Sequence, residues 1–227
     1  ALMNGQTLEV GAIIGVNRFK NPIKLSRYIM KSTKHVVFTN SGALHLLKNS
    51  GLEAVESDYF FTTLRYEQLL QARKNNLVTL DHNDPKLPDK YGTVGAVALD
   101  IHGHLAAATS TGGVNNKMVG RVGDCPMIGC GTYANDNSCA ISCTGQGEYF
   151  IRTVAAHDIA ARMEYGGKSL AEAAHIVLFD KIVKMGGSGG LIALDKNGNM
   201  AQIFSTSAMI RGFSDETGQI KIKILKD

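Results

Sequence analysis

Residues 91–100 read YGTVGAVALD, and directly before them stands DHNDPKLPDK (81–90), a run of charge and proline with almost nothing to bury. From Thr93 onward small apolar residues alternate as they do in a half-buried strand. The Gly92-Thr93 pair on this seam admits two readings: a loop that ends in a strand, or a point where the chain is cut and Thr93 heads a new polypeptide. The second reading has chemical content. A hydroxyl is a weak nucleophile at neutral pH unless a base stands beside it, and a free α-amino group on the same residue, with a reference pKa of about 7.7 to 8.0, is such a base. Only a break between Gly92 and Thr93 frees that amine. The Thr93 hydroxyl can make the break by attacking the Gly92 carbonyl in an N-to-O acyl shift, after which water hydrolyses the ester. Glycine at 92 tolerates the strained backbone of such an attack. Taken alone, a Gly-Thr pair favours the plainer strand start.

Composition sets the frame around this seam. With 227 residues, 44% of them hydrophobic, the chain suits one globular domain of ordinary size or two small ones. The formal net charge of +4 comes from scattered lysines and arginines, so no nucleic-acid or membrane footprint stands out and a small-molecule or peptide partner is expected. No apolar run reaches the roughly 18 residues of a membrane span. ALMNGQTLEV lacks the pattern of a signal peptide, and a start at Ala1 rather than methionine suggests a trimmed or incomplete chain. Cys125, Cys130, Cys139 and Cys143 form no CxxC and no spacing paired with histidines, so they are expected as buried reduced thiols in a cytoplasmic protein.

Before the seam, VGAIIGV (10–16) and HVVFTN (35–40) read as strands, while NPIKLSRYIMKST and TTLRYEQLLQARKNN read as amphipathic helices. After it, VGAVALD and LAAATST flank the turn IHGH, and CAISCT is a further short strand. EYFIRTVAAHDIAARMEYG reads as one helix whose Ile151, Ala155, Ile159 and Met163 share a buried face. The next helix starts at Ser169 with Glu172 completing a capping box. GLIALD and NMAQIFS make a hairpin about Asn197-Gly198, and QIKIKIL closes the chain as an edge strand kept apart by its lysines. Strands with helices on separate faces predict a layered α/β sandwich.

Two more elements of chemistry lie downstream of Thr93. STGG (110–113) and CTGQGE (143–148) each end a predicted strand with a threonine followed by glycine. A hydroxyl and a nearby backbone N–H are the donors that hold a developing oxyanion, which makes Thr144 and Gly145 the oxyanion-hole candidates. Thr111 then positions or tunes the Thr93 amine and hydroxyl. In GRVGD (120–124), Arg121 can grip a carboxylate with two parallel hydrogen bonds and Asp124 can receive an ammonium, so the pair suits the two charged ends of an amino acid. Plainer readings exist for each: turn hydrogen bonds for the threonines, a surface ion pair for Arg121 and Asp124. GGSGG (186–190) lacks the GxGxxG spacing of a phosphate cradle. His102 and His104 read as solvated, His157 and Asp158 as surface, and Tyr149, Phe150 and Phe204 as core.

Taken as an ordered set, GTVGAVALD, ATSTGG, NKMVGRVGD, CTGQGE and GGSGGLIALD, with LRYEQLLQARK upstream, resemble the plant-type L-asparaginases, or isoaspartyl aminopeptidases, of the N-terminal-nucleophile hydrolases. The resemblance implies a four-layer αββα sandwich made as a precursor that cuts itself between Gly92 and Thr93. Residues 1–92, with a linker at 81–92, would be the C-terminal part of the α subunit and 93–227 the β subunit, folded as one domain, with two such pairs forming a homodimer. It places Thr93 as nucleophile, Thr111 as second active-site threonine, Arg121 and Asp124 on the substrate carboxylate and amine, Thr144 with Gly145 at the oxyanion, and Gly147 facing the substrate. The implied reaction is hydrolysis of a β-aspartyl amide, in L-asparagine or an isoaspartyl dipeptide, with no catalytic cofactor and with a structural sodium or potassium ion at most. Alternatives are a truncated, non-catalytic relic of the fold and the same chemistry on glycosylasparagine. The HGGAG-like strand with which relatives begin is not in this chain, so an exposed sheet edge is expected, and Gln146 leaves substrate preference open.

Overall fold

The computed structural model describes residues 1–75, 92–215 and 217–225, so the predicted linker lies outside the described residues except for Gly92. The first half builds one sheet from β1 (Leu2–Asn4), β2 (Val10–Ile14) and β3 (Val37–Thr39), joined by β4 (Thr93–Leu99) and β5 (Leu105–Thr111) in the order β3-β2-β1-β5-β4. A second sheet of β6 (Thr132–Ala134), β7 (Cys139–Gly145), β8 (Gly189–Asp195) and β9 (Met200–Phe204) is antiparallel in that order. Met3, Leu105, Ala107, Ala134 and Ala140 form the buried layer between the sheets, with Val97 and Leu99 against it. Three of the five buried residues are alanines, which add little volume to this layer.

Helices cover both outer faces. Asn21 caps α1 (Pro22–Ser32) by accepting from the Lys24 N–H, and Pro22 supplies the preset φ of a first helical turn. Leu25 and Ile29, one turn apart, are fully buried beside Phe19. At Gly11 of β2 any side chain would run into the Ser26 carbonyl of α1, which fixes how near this helix lies. Next come α2 (Asn40–Ser50) and α3 (Thr63–Lys74). The second sheet is covered by α4 (Gly147–Thr153), α5 (Ala155–Glu164) and α6 (Leu170–His175), which continues as a π-helical stretch over Ile176–Val183. Phe150, Ile159, Leu178 and Ile182 meet Ile141, Cys143 and Leu191 beneath them. Each such side chain contributes about 1.5 to 3 kcal/mol on burial. The layering is therefore the αββα sandwich expected.

Several local expectations are corrected. The helix expected through EYFIRTVAAHDIAARMEYG breaks at Val154, whose φ is +48°. A β-branched residue resists that region, but the break lets the opening N–H groups of α5 bond elsewhere. Ala156 N donates to Cys130 O at 3.2 Å and His157 N to Gly129 O at 2.8 Å. The strand expected at 35–40 is only Val37–Thr39, because Asn40 already opens α2, a helix not foreseen. The capping box at Ser169 and Glu172 forms as expected. QIKIKIL becomes β11 (Ile220–Leu225), paired with β10 (Ala208–Ser214) alone. All four cysteines are free and buried, and burial pushes Cys125 up to about 11 and Cys139 to about 12.

Candidate active site

Strand alternation gathers the three threonines. Val97 and Leu99 of β4 point into the inter-sheet layer, so Thr93 and Gly95 share that face. On β5, Leu105 and Ala107 do the same and carry Thr109 and Thr111 with them. On β7, Ala140 fixes the face for Ser142 and Thr144. Thr93 stands opposite Thr111 in the ladder. Gly95 is small for a reason, since a Cβ there would strike the Ser142 side chain across the gap.

Hydrogen bonds order these groups. Thr93 Oγ1 donates to Thr111 Oγ1 at 3.1 Å, and Thr111 Oγ1 donates to the Gly92 carbonyl at 3.0 Å. The Gly113 N–H in turn donates to Thr111 Oγ1 at 3.0 Å. Thr111 is thus a relay between the nucleophile candidate and the carbonyl of the bond in question. Behind it lies a buried hydroxyl layer: Thr132 Oγ1 donates to Thr109 Oγ1 at 2.6 Å, and Thr109 and Ser142 hydroxyls meet at 2.7 Å.

A cleft opens between this wall, formed by Gly92, Thr93 and Thr111, and a facing wall of Arg121, Gly123, Asp124, Thr144 and Gly145. All of the proposed residues except Gly147 line it. Gly147, the first residue of α4, stands behind Asp124, and a Cβ on it would lie 2.8 Å from Asp124 Oδ1. Asp124 is only 8% exposed, and its Oδ2 has no hydrogen-bond partner. Burial is the largest cause that pushes its carboxyl up to about 6. It is therefore no surface ion pair: it is a buried carboxylate lining the cleft, and among the described residues no cation forms an ion pair with it.

Arg121 is engaged instead by Glu148, a residue the sequence reading missed. Its Nε donates to Glu148 Oε1 at 2.8 Å and its Nη2 to Oε2 at 3.0 Å. That leaves the Nη1 side toward Gly123, where a Cβ would be 3.0 Å away. The hydrogen bond from Arg121 holds the Glu148 carboxyl below its usual range. Glu148 is the last letter of CTGQGE, in the first turn of a helix, and an acid there is the signal that could have found it.

GGSGG acquires a role at the same place. Gly189 and Gly190 of β8 pair with Gly145 and Thr144 of β7, and Gly145 has φ +145°, open only to glycine. Gln146 clamps the two segments: its N–H donates to Ser188 O at 3.0 Å, and its Oε1 accepts from Ser188 N at 3.0 Å. The glycine run thus backs the Thr144-Gly145 turn. His104, read as solvated, instead contacts Asp136 Oδ2 through Nδ1 at 2.8 Å. Asp158, read as surface, is half-buried and bridges Arg162 and Lys181. Phe150 and Phe204 are buried and Tyr149 packs on the core, as expected. Among the described residues no cluster of three or more His, Cys, Asp or Glu could hold a metal ion, and no helix is long and apolar enough to cross a membrane.

The sequence pattern of a family described as Asparaginase matches residues 1–224. The isoaspartyl peptidase of Escherichia coli (strain K12) is 52% identical over 220 residues, covering 95% of this chain and 68% of that protein. A putative isoaspartyl peptidase/L-asparaginase of Dictyostelium discoideum is 43% identical over 265 residues, covering 100% of this chain and 75% of that one. An isoaspartyl peptidase/L-asparaginase of Xenopus laevis is 40% identical over 210 residues, with 92% and 65% covered.

Proposed function

The chain belongs to the asparaginase family, and on that premise we propose that it is a hydrolase of β-aspartyl amides whose nucleophile is Thr93, exposed by self-cleavage after Gly92. The observation that carries the reading is the hydroxyl relay from Thr93 through Thr111 to the Gly92 carbonyl. In the uncut chain, Thr93 Oγ1 attacks the Gly92 carbon while its proton passes to Thr111 Oγ1, and the proton of Thr111 passes to the carbonyl oxygen. Collapse of this adduct expels the Thr93 nitrogen, which takes up a proton and leaves Gly92 as an ester on Thr93 Oγ1. Water cleaves the ester into a Gly92 carboxylate and a Thr93 with free amine and free hydroxyl.

The freed amine then serves as base. Asp124 receives the substrate's α-ammonium, which repays the cost of its burial, and Arg121 receives the α-carboxylate. Thr93 attacks the β-carbonyl; Thr144 and the Gly145 N–H hold the oxyanion; the amine passes its proton to the departing ammonia or amino acid. Water repeats the sequence on the aspartyl ester. The relatives' names, isoaspartyl peptidase and isoaspartyl peptidase/L-asparaginase, support this substrate class. The reading calls on no metal or organic cofactor, and it includes a cytoplasmic location and a homodimer of cleaved pairs.

A denaturing gel and a product assay test it together. Purified protein is expected as two bands, 1–92 and 93–227, releasing ammonia from L-asparagine and the amino acid from an isoaspartyl dipeptide. Glycosylasparagine is expected to be a poor substrate. Thr93→Ala is expected as one band with turnover down by at least about 10³-fold. An uncut wild-type chain that stays inert after long incubation would refute the proposal, as would full activity from an uncut chain.

A further inference from the structure

Beyond Thr111 the chain runs through Gly112 and Gly113 and then loops toward Arg121, bringing Lys117 back over the glycine pair. Lys117 Nζ donates to the Gly112 carbonyl at 2.6 Å, and a Cβ on Gly113 would stand 2.8 Å from the same nitrogen. Gly113 borders the cleft beside Thr93 and Thr111. The ammonium therefore rests against Gly112 and Gly113, the two residues that follow Thr111. Among the described residues no carboxylate is paired with it. Arg121, by contrast, is already held by Glu148. Burial, and then the charge of Arg121, lower the Lys117 pKa from its ordinary value.

A β-aspartyl dipeptide carries one ammonium and two carboxylates. The proposed site assigns Asp124 to the ammonium and Arg121 to the carboxylate of the aspartyl unit. The second carboxylate belongs to the departing amino acid, two bonds beyond the nitrogen that Thr93 displaces, so it lies within a few ångström of the nucleophile on the side the aspartyl unit leaves free. Gly112 and Gly113 border Thr111 there, and Lys117, with no carboxylate partner among the described residues, is the cation upon them. We propose that Lys117 forms a leaving-group subsite for the free α-carboxylate of the second residue of a β-aspartyl dipeptide. L-Asparagine has no such group and needs no such subsite. This inference rests on the β-aspartyl hydrolase reading and adds to it a preference between substrates of that class.

The test compares kcat/KM for a β-aspartyl dipeptide with that for the same dipeptide as its C-terminal amide, so that any general damage to the loop cancels in the ratio. The wild-type enzyme is expected to prefer the free acid by about fivefold, which is what a partly exposed ion pair returns. Added salt is expected to shrink the preference, because such charges are screened within a Debye length of about 8 Å at physiological ionic strength. Lys117→Gln keeps a donor for the Gly112 carbonyl but no charge, and its ratio is expected to fall to about 1; Lys117→Met is expected to match it. Lys117→Arg is expected to retain the preference. A wild-type ratio of 1, or an undiminished ratio in Lys117→Gln, overturns the subsite while leaving the hydrolase reading standing. A wild-type enzyme that cleaves asparagine and both dipeptides not at all overturns both.

Discussion

The two walls of the cleft differ in kind. The β4–β5 wall is open: β4 is the outer strand of its sheet, Val94 beside Thr93, the proposed nucleophile, is 71% exposed, and Thr111 is exposed as well. The facing wall is closed. Asp124 is wedged where a Cβ on Gly131 or on Gly147 would collide with it, and Gly145 packs against Gly189 and the buried Phe150. Openness suits a segment that, on the proposed reading, admits an attack on its own backbone and later a water. Closure suits a carboxylate that must discriminate, since a charge kept from water responds strongly to the one group that pairs with it. On the proposed reading the open wall carries the nucleophile, while the closed wall holds the substrate's charged groups and the oxyanion donors Thr144 and Gly145. Variants on the two walls are expected to fail differently.

The largest effect that separates the walls is expected from Thr111→Val, which keeps the shape of the side chain and removes both relay hydrogen bonds. Self-cleavage is expected to slow by about 10²-fold and turnover of the residual cut enzyme by about 10³-fold, within the range of losing a positioned acid–base group and an oriented nucleophile. Band densitometry over time and ammonia release measure the two rates. Loss of turnover without any delay in cutting would mean that Thr111 does not serve the Gly92 carbonyl.

The open wall was the legible one. Alternation after Thr93 and the turn at Gly103 locate β4 and β5, and a period of two residues then decides which side chains face the other sheet. The closed wall was legible only as residue types. Arg121 and Asp124 are three apart in sequence, yet the partner of Arg121 is Glu148, 27 residues away on another element, and no local spacing encodes that pairing. The break at Val154 was equally hidden, because its helical neighbours keep the apolar period on both sides while the loop carbonyls of Gly129 and Cys130 settle the matter through tertiary contact. The short β1 and β6 carry too few residues for a period to show.

On the closed wall, Asp124→Asn is expected to leave self-cleavage untouched while kcat/KM falls by about 10²-fold, the cost of leaving a substrate ammonium without its charged partner. The same change is expected to stabilise the protein above neutrality. The folded carboxyl keeps its proton up to about 6, whereas the ordinary value for an aspartate carboxyl is 3.8. Between those values the folded state binds more protons than the unfolded one, so this contribution to stability is fully present below 3.8 and is lost as pH rises through about 6. Above that the ionised group costs roughly 2 to 3 kcal/mol, which asparagine avoids. Thermal melts of both proteins at pH 4 and pH 8 are expected to coincide more nearly at the lower pH and to favour the variant at the higher. In the wild type, kcat/KM is expected to fall as pH drops through about 6, where free Asp124 takes up its proton.

Glu148→Gln sharpens the comparison most finely, because it alters the closed wall one step removed from the substrate. A glutamine can accept one of the two hydrogen bonds from Arg121 but presents an N–H₂ to the other, so the guanidinium loses its second anchor and a neighbouring negative charge. If the wall recognises by holding its groups still, KM is expected to rise by about tenfold with kcat changed little, since the carboxylate of the substrate then has to order Arg121 itself. Removing Glu148 also takes away a charge that raises the pKa of Asp124, so the acid limb of kcat/KM is expected to move to lower pH. The two shifts have different origins, one in geometry and one in electrostatics. Glu148→Asp, which restores the charge on a shorter stem, is expected to return the acid limb toward that of the wild type while leaving KM high. If Glu148→Gln instead slowed the cut between Gly92 and Thr93, the closed wall would be coupled to the open one, and the division of labour between the walls would fail.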